Sequence, residues 1–162
     1  MEKPLVSICC TAFNHEEYIR DALEGFLMQE TDFTYEVLIH DDASTDGTAD
    51  IIREYEKKYP EIIKPIYQTE NQYSQGLSPS RNNFVRAQGE FIAICEGDDY
   101  WTDKDKLQIQ VDALKTHQQV DLCFHPCVII DEDKGKRKSF HPSDKYAELK
   151  IFRIDRVIEV GG

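Results

Sequence analysis

The chain has 162 residues, of which 40% are hydrophobic and 31% are charged, a composition typical of one globular domain rather than of a disordered protein. Its net charge of −12 argues against broad nucleic-acid binding, which needs clustered lysine and arginine. No apolar run reaches the roughly 18 residues of a membrane span, no export signal is visible and five cysteines suggest no disulfide framework, so a cytoplasmic protein is expected.

Strand and helix patterns alternate from the first residues onward. Residues 5–13 are a continuous apolar, β-branched run that predicts a strand, and apolar residues then recur at helical spacing from Tyr18 to Leu27. Residues 35–40 repeat the strand pattern, and a second amphipathic helix ends before Pro60. Such strand–helix pairs are typical of a parallel sheet.

The alternation continues through the rest of the chain. Residues 62–68 predict a third strand, whose Pro65 indicates a sheet edge or a strand start. The nearly all-apolar residues 90–96 predict a fourth strand buried on both faces. The pattern therefore predicts an α/β fold, a mostly parallel sheet with helices on both faces, in a single domain over residues 1–162. The remaining predicted elements are helices near 79–88 and 105–117, a fifth strand at 120–131 and a sixth after the next turn.

The segment HDDASTDGT at residues 40–48 concentrates carboxylates directly after the second predicted strand. It resembles a calcium loop only in part. If Asp42 began an EF-hand loop, the twelfth position would fall on Arg53, where a bidentate glutamate is required. Calcium is therefore not expected here.

Helix capping explains part of the same segment. Ser44 or Asp46 can cap the second helix, with Gly47 allowing the turn. Capping does not explain Asp41 and Asp42, which sit at the carboxyl end of a strand, where open parallel sheets bind their ligands. These two aspartates are the ligand candidates of the segment.

A second acidic segment, CEGDDYW at residues 95–101, also follows a strand and places Glu96, Asp98 and Asp99 within four residues. Like charges this close repel unless a cation or a set of donors compensates them. Hard oxygen ligands favour Mg²⁺ or Mn²⁺, and such a site takes one or two carboxylates with water and substrate phosphate as the other ligands. An exposed acidic turn that caps the next helix is the alternative.

The ordered series VSICCTAFNHEEYI, VLIHDDASTDGT and SRNNFVRAQGEFIAICEGDDYW resembles the motifs of family 2 glycosyltransferases, the inverting GT-A type, over roughly residues 4–115. The resemblance implies a Rossmann-like GT-A fold that binds a nucleotide-sugar donor, expected to be a UDP-sugar, at the carboxyl edge of the sheet. It also implies inverting transfer to an acceptor hydroxyl of a glycan or lipid-linked glycan, in bacterial cell-surface polysaccharide synthesis.

The resemblance assigns roles to the residues around the base. In the family, the stretch that matches Thr11, Ala12 and Phe13 lines the nucleobase pocket. The position that matches Asp42 hydrogen-bonds the base, which is chemically reasonable because a carboxylate accepts the imide N–H of uracil. The arginine that matches Arg81 lies against the nucleotide.

The family's acidic motif falls on Glu96, Gly97, Asp98 and Asp99, whose carboxylates would bind the ribose and the metal on the diphosphate. We assign a divalent cation, Mg²⁺ or Mn²⁺, jointly to Asp98 and Asp99, with Asp98 also among the nucleotide contacts. Trp101 is either a core residue or, if its ring is exposed beside the donor, an acceptor contact that stacks on a sugar.

The chain departs from the family in two ways. Ala12 replaces the usual proline of the first motif. Family members generally continue with an acceptor-binding half and a carboxylate that deprotonates the acceptor, but nothing after residue 115 matches such a base motif. We therefore expect a truncated chain with no assignable catalytic residue; if it does catalyse alone, Asp131, Glu132 or Asp133 would serve as the base.

Two other functions stay open. The chain could be a nucleotide-sugar-binding module without catalysis. A phosphotransferase of another doubly wound fold has less support, because the sequence has neither GxxxxGK[ST] nor GxGxxG. The expected location is cytoplasmic, with peripheral association with the inner membrane and oligomerisation as further options.

Overall fold

The computed structural model describes residues 3–125, 127–131 and 136–140. The chain packs as two compact units, Met1–Val111 and Asp112–Gly162. The single domain expected over residues 1–162 stays a prediction. The first unit contains a parallel sheet with its own apolar core, and the second contains a hairpin whose strands pair with each other.

The first unit contains a four-stranded sheet in which every pairing is parallel, in the order β3-β2-β1-β4. The α/β fold with a mostly parallel sheet is thereby confirmed. The strands are β1 (Val6–Ala12), β2 (Tyr35–Asp41), β3 (Ile63–Tyr67) and β4 (Phe91–Ile94). The helices are α1 (Ile19–Leu27), α2 (Thr48–Lys58), α3 (Pro79–Arg86) and α4 (Lys106–Thr116), with a 3₁₀ turn at Tyr73–Gln75 that the sequence did not predict.

One face of the sheet is apolar. Alternate residues of β1 and β2, such as Ile8 and Ile39, pack with Phe26 of α1 and Ile52 of α2 in one hydrophobic cluster, and all four side chains have no exposed surface. Burial of side chains of this size stabilises a fold by about 1.5–3 kcal/mol each. This layer fixes β1 and β2, which carry the candidate site at their carboxyl ends.

The opposite face of the sheet is polar although it is buried. Ser7, Glu36 and His40 project from it and are at most 2% exposed. The segment after α3 covers two of them, since the Gln88 N–H donates to Glu36 Oε1 (2.9 Å) and the Gly89 N–H donates to Ser7 Oγ (2.8 Å). Helices and their connections therefore cover both faces of the sheet, as the sequence predicted.

The two edges of the sheet test the strand predictions. β3 lies at one edge, as Pro65 indicated. β4 lies at the other, and its Ile92 and Ile94 are 46% and 67% exposed. The prediction that the fourth strand is buried on both faces was therefore wrong, because an apolar run does not reveal whether a helix covers each face.

The second unit contains an antiparallel pair, β5 (Cys127–Asp131) and β6 (Lys136–Phe140). β5 begins later than the predicted strand at 120–131, and β6 confirms the predicted sixth strand. Glu132 and Asp133 lie outside the described residues. Within the described part of the chain, every helix is too short or too polar to cross a membrane.

Candidate functional site

The end of β1 lies between the two acidic segments. The Asp42 N–H donates to the Ala12 carbonyl (2.9 Å), and the Gly97 N–H donates to the Thr11 carbonyl (2.9 Å). Ala12 is buried, whereas the Phe13 side chain is open to solvent, with the residue 42% exposed. Parallel strand order therefore places Thr11, Ala12 and Phe13 in a wall with one acidic segment on each side.

The Asp42 carboxylate on one side of this wall is buried and hydrogen-bonded. Its Oδ1 accepts the Gln72 N–H (2.8 Å) and faces His40 Nε2 (3.2 Å), and its Oδ2 accepts the Tyr73 N–H (3.0 Å). Burial alone would raise the pKa of Asp42, but the N–H groups of Tyr73, Gln72 and His40 together hold that pKa below its ordinary value. Asp42 is therefore an ionised acceptor at neutral pH.

Asp41 differs from Asp42 although both residues are 2% exposed. Its Oδ1 is buried and has no hydrogen-bond partner among the described residues. Asp41 is the last residue of β2, in register with Ala12 and Tyr67. Only Asp42, of the two adjacent carboxylates, is built into a hydrogen-bonded arrangement.

The rest of the first acidic segment, residues 44–48, binds the turn after β1, residues 14–16. Backbone N–H groups of each loop donate to side chains of the other, so the two loops satisfy each other's polar groups. The contacts join Asn14 N–H to Ser44 Oγ (3.0 Å), Thr45 N–H to Asn14 Oδ1 (2.8 Å), His15 N–H to Thr48 Oγ1 (2.7 Å), Glu16 N–H to Asp46 Oδ2 (3.1 Å) and Gly47 N–H to Glu16 Oε2 (2.6 Å).

These contacts correct the capping prediction. Asp46 does cap α2 through Oδ1, which accepts the Thr48 N–H (3.0 Å), but Ser44 bonds the other loop instead. Gly47 has an ordinary φ of −73°, so no special turn requires glycine. A Cβ there would lie 2.8 Å from the Glu16 carboxylate that the Gly47 N–H binds, so a larger residue would require the exposed Glu16 side chain to shift.

The second acidic segment forms a tight turn on the other side of the wall. The Asp99 N–H donates to the Glu96 carbonyl (3.2 Å), and Glu96, Asp98 and Asp99 are all exposed. Gly97 at the centre of the turn is buried, and a Cβ on it would lie 2.9 Å from His15 Nδ1. The turn therefore packs against the loop after β1 and presents its carboxylates outward.

The charges of this turn fit a divalent cation. Burial, followed by the neighbouring Asp98 carboxylate, raises the pKa of Asp99 against an opposing effect of His15. His15 Nε2 lies 3.8 Å from Asp98 Oδ2, and in the described residues no lysine or arginine forms an ion pair with Asp98 or Asp99. The described residues bring no group of three candidate ligands together, but a magnesium site needs only one or two carboxylates beside water and phosphate.

Two further predicted residues have different outcomes. Arg81 is exposed on α3, and its guanidinium has no ion pair within the described residues. Trp101 is 6% exposed, its ring meets Phe26 edge-on at 5.0 Å, and Lys106 Nζ lies 3.8 Å from the ring centre. Trp101 is therefore a core residue, and its buried ring does not meet the condition of exposure on which the acceptor contact depended.

Sequence reasoning missed the residues that hold Asp42. His40, Gln72, Tyr73 and Asn82 come from three separate segments and meet around this carboxylate. The one signal in the sequence was a histidine that lies between the apolar residues 37–39 and the two aspartates.

The chain is similar to known proteins over most of its length. The profile described as Glycosyl transferase family 2 matches residues 7–160. An uncharacterized protein of Mycobacterium tuberculosis is 44% identical over 147 residues, which are 90% of this chain and 42% of that protein. The Bacillus subtilis protein TuaG, named as a teichuronic acid biosynthesis glycosyltransferase, is 41% identical over 111 residues, which are 68% of this chain and 42% of TuaG. This chain thus spans about two fifths of the length of both relatives.

Two solved structures are similar to the chain. TarS residues 1–349 of S. aureus, in complex with UDP, superposes with a TM-score of 0.59 at 28% identity, over 70% of this chain and 32% of that one. The mannosyltransferase PcManGT of Pyrobaculum calidifontis, in complex with GDP-Man and Mn²⁺, gives a TM-score of 0.58 at 28% identity, over 70% of this chain and 33% of that one.

Proposed function

The chain belongs to glycosyl transferase family 2, and from this premise we propose that the protein transfers a sugar from a nucleoside diphosphate sugar to an acceptor hydroxyl with inversion at the anomeric carbon. Uridine diphosphate is the favoured carrier. The acceptor is a glycan or lipid-linked glycan of a bacterial cell-surface polysaccharide, a class supported by the name of the relative TuaG.

One observation carries the proposal: the wall at Thr11–Phe13 separates a carboxylate acceptor on one side from a crowded acidic turn on the other. A nucleoside diphosphate has the matching polarity, with a hydrogen-bonding base at one end and a diphosphate that binds cations at the other. Asp42 suits the base end, because an ionised carboxylate only accepts hydrogen bonds. Asp98 and Asp99 suit the diphosphate end.

The other residues of the site have roles that follow from their exposure. The open Phe13 side chain is placed to stack on the base, and Arg81 is free to bind the nucleotide. Glu96 and the Gly97 backbone lie where the ribose would pass between the two ends. A divalent cation held by Asp98 and Asp99 would stabilise the charge on the departing diphosphate.

Transfer also requires a base that removes the proton of the acceptor hydroxyl, which contributes roughly a hundredfold to ten-thousandfold in rate. We assign no such residue, so a module that binds the donor without catalysis is the alternative for this chain. Acceptor-dependent release of nucleotide from several sugar donors by the 162-residue chain would exclude that alternative.

The direct test is calorimetric titration of the chain with UDP, GDP, dTDP and CDP, with and without Mn²⁺. We expect at least one of them to bind, and to bind more tightly with Mn²⁺. The double variant Asp98→Asn and Asp99→Asn should lose the Mn²⁺ dependence. Asp21→Asn with Asp32→Asn removes the same charge from two exposed aspartates elsewhere and should retain it.

Two outcomes would count against the proposal. Failure of all four nucleotides to bind would refute the donor site itself. Undiminished Mn²⁺ dependence in the Asp98→Asn, Asp99→Asn variant would refute the assignment of the cation to these residues while leaving nucleotide binding in place.

A further inference from the structure

We propose that His40 is a positioning residue for base recognition, which orients the Asp42 carboxylate so that bases with an imide N–H bind in preference to cytosine. The inference rests on the proposed function, because the base must lie beside the wall at Thr11–Phe13. It adds a specificity determinant that does not itself touch the donor.

The hydrogen-bond partners of His40 define the tautomer of its neutral ring. The ring projects from the polar face of β2 and has no exposed surface. Nδ1 lies 3.3 Å from the Asn82 amide nitrogen, and Nε2 lies 3.2 Å from Asp42 Oδ1. An amide nitrogen only donates and a carboxylate only accepts, so the proton of the neutral ring is on Nε2 and Nδ1 is the acceptor. Both ring nitrogens are thereby used.

The described residues leave one acceptor position of Asp42 unused. Oδ1 takes the N–H of Gln72 and that of His40, whereas Oδ2 takes, from this part of the chain, only the N–H of Tyr73. A carboxylate oxygen has two lone pairs, so Oδ2 can accept one further hydrogen bond. The imide N–H of uracil or thymine, or the equivalent lactam N–H of guanine, can supply it. The ring nitrogen that cytosine presents at this position is itself an acceptor, and a carboxylate repels it.

His40 also links the carboxylate to α3. Asn82, which donates to His40, donates in addition to the Gln72 side-chain oxygen (2.8 Å), and the Gln72 backbone N–H binds Asp42. The carboxylate is thus fixed from its own strand, from the 3₁₀ turn and indirectly from α3. Without the imidazole, Oδ1 keeps only the Gln72 N–H among the described donors, so the carboxylate is held less firmly in its orientation.

The test compares base selectivity in variants of the full chain. The quantity measured is the ratio of dissociation constants for CDP and for the tightest-binding of UDP, dTDP and GDP, with Mn²⁺-pyrophosphate as a ligand that lacks a base. We expect His40→Leu to reduce the ratio about tenfold, the size of a misplaced hydrogen bond to a charged group, with pyrophosphate affinity unchanged. His40→Gln, which restores an amide donor, should recover most of the selectivity.

A matched control separates positioning from stability. Ser7→Ala removes a buried polar side chain from the same face of the sheet, at the other end of the strands, where it binds Glu36 (2.7 Å). We expect Ser7→Ala to lower the urea midpoint without changing the selectivity ratio. A purely structural role of His40 would give the same result for both variants.

An unchanged ratio in folded His40→Leu would overturn the inference. If that variant does not fold, Asn82→Ala takes its place, because Asn82 is only half-buried; a reduced ratio supports the inference and an unchanged one overturns it. Equal affinity of the unmodified chain for CDP and for the tightest-binding of UDP, dTDP and GDP would also overturn it, yet would leave the proposed function standing. Failure of the unmodified chain to bind any nucleotide is the separate result that refutes the proposed function.

Discussion

Replacement of Asp42 by alanine and of Asp41 by alanine should have very different effects, although the two residues are adjacent, equally charged and both 2% exposed. Asp42→Ala leaves three N–H groups without their acceptor, those of Gln72, Tyr73 and His40. Each such group costs about 1 kcal/mol where water can partly replace the acceptor, so the expected loss of stability is about 3 kcal/mol. Asp41→Ala removes a buried oxygen with no partner in the described residues, so its expected effect is near zero or stabilising.

Urea unfolding of the two variants and the unmodified chain measures this difference directly. The midpoint should fall for Asp42→Ala at an unchanged slope, and stay or rise for Asp41→Ala. Titration under native conditions adds a second readout, because UDP affinity should fall by about 1–3 kcal/mol in Asp42→Ala and little in Asp41→Ala. Equal losses in the two variants, in stability or in affinity, would refute the reasoning that hydrogen-bond partners, and not charge, distinguish Asp42 from Asp41.

Three further outcomes are expected. Because the pKa of Asp42 is lowered in the fold, its ionised carboxylate stabilises the fold above the unfolded-state pKa, and this stabilisation is lost as pH falls through the folded-state pKa. Urea midpoints of the unmodified chain should therefore drop between about pH 5 and pH 2, and those of Asp42→Ala should drop less. Parallel curves for the two chains would contradict this. Phe13→Ala should weaken UDP binding by about 1–3 kcal/mol through lost stacking with little effect on melting temperature, and unaltered affinity would exclude a stacking role. Gly25→Ala should destabilise the chain by about 1–3 kcal/mol, because the new Cβ would lie 2.9 Å from backbone atoms of Trp101; a melting temperature equal to that of the unmodified chain would show that this packing relaxes.

The sequence predicted that the two acidic segments lie at one edge of the sheet, because each follows a strand of a parallel sheet. Parallel strands place their carboxyl ends at one edge, so two acidic segments that each follow a strand had to lie near each other, as the bonds of Asp42 and Gly97 to β1 now show. The spacing of apolar residues predicted α1 and α2 in an equally direct way, since a helix that packs by one face repeats its apolar residues every three or four positions.

The features that could not be predicted depend on partners that are distant in the sequence. His40 follows three apolar residues of its strand, and nothing near it in the sequence indicates that its ring binds Asn82, more than forty positions later. Trp101 was ambiguous for a similar reason, because its ring is buried against Phe26, a residue of a helix some 75 positions earlier in the chain. The exposure of Ile94 depends on which elements cover β4, and its own sequence does not encode them.

The mutual bonding of residues 14–16 and 44–48 has a consequence for how the site forms and opens. Each loop uses the other's side chains to satisfy its backbone N–H groups, so neither can adopt its final conformation before β1 and β2 have paired. Separating the loops breaks all of these bonds at once, which makes them one cooperative unit of local unfolding. Amide hydrogens of both loops should therefore exchange with solvent at a common rate, and one substitution at Asn14 should accelerate exchange some thirty residues away, at Thr45.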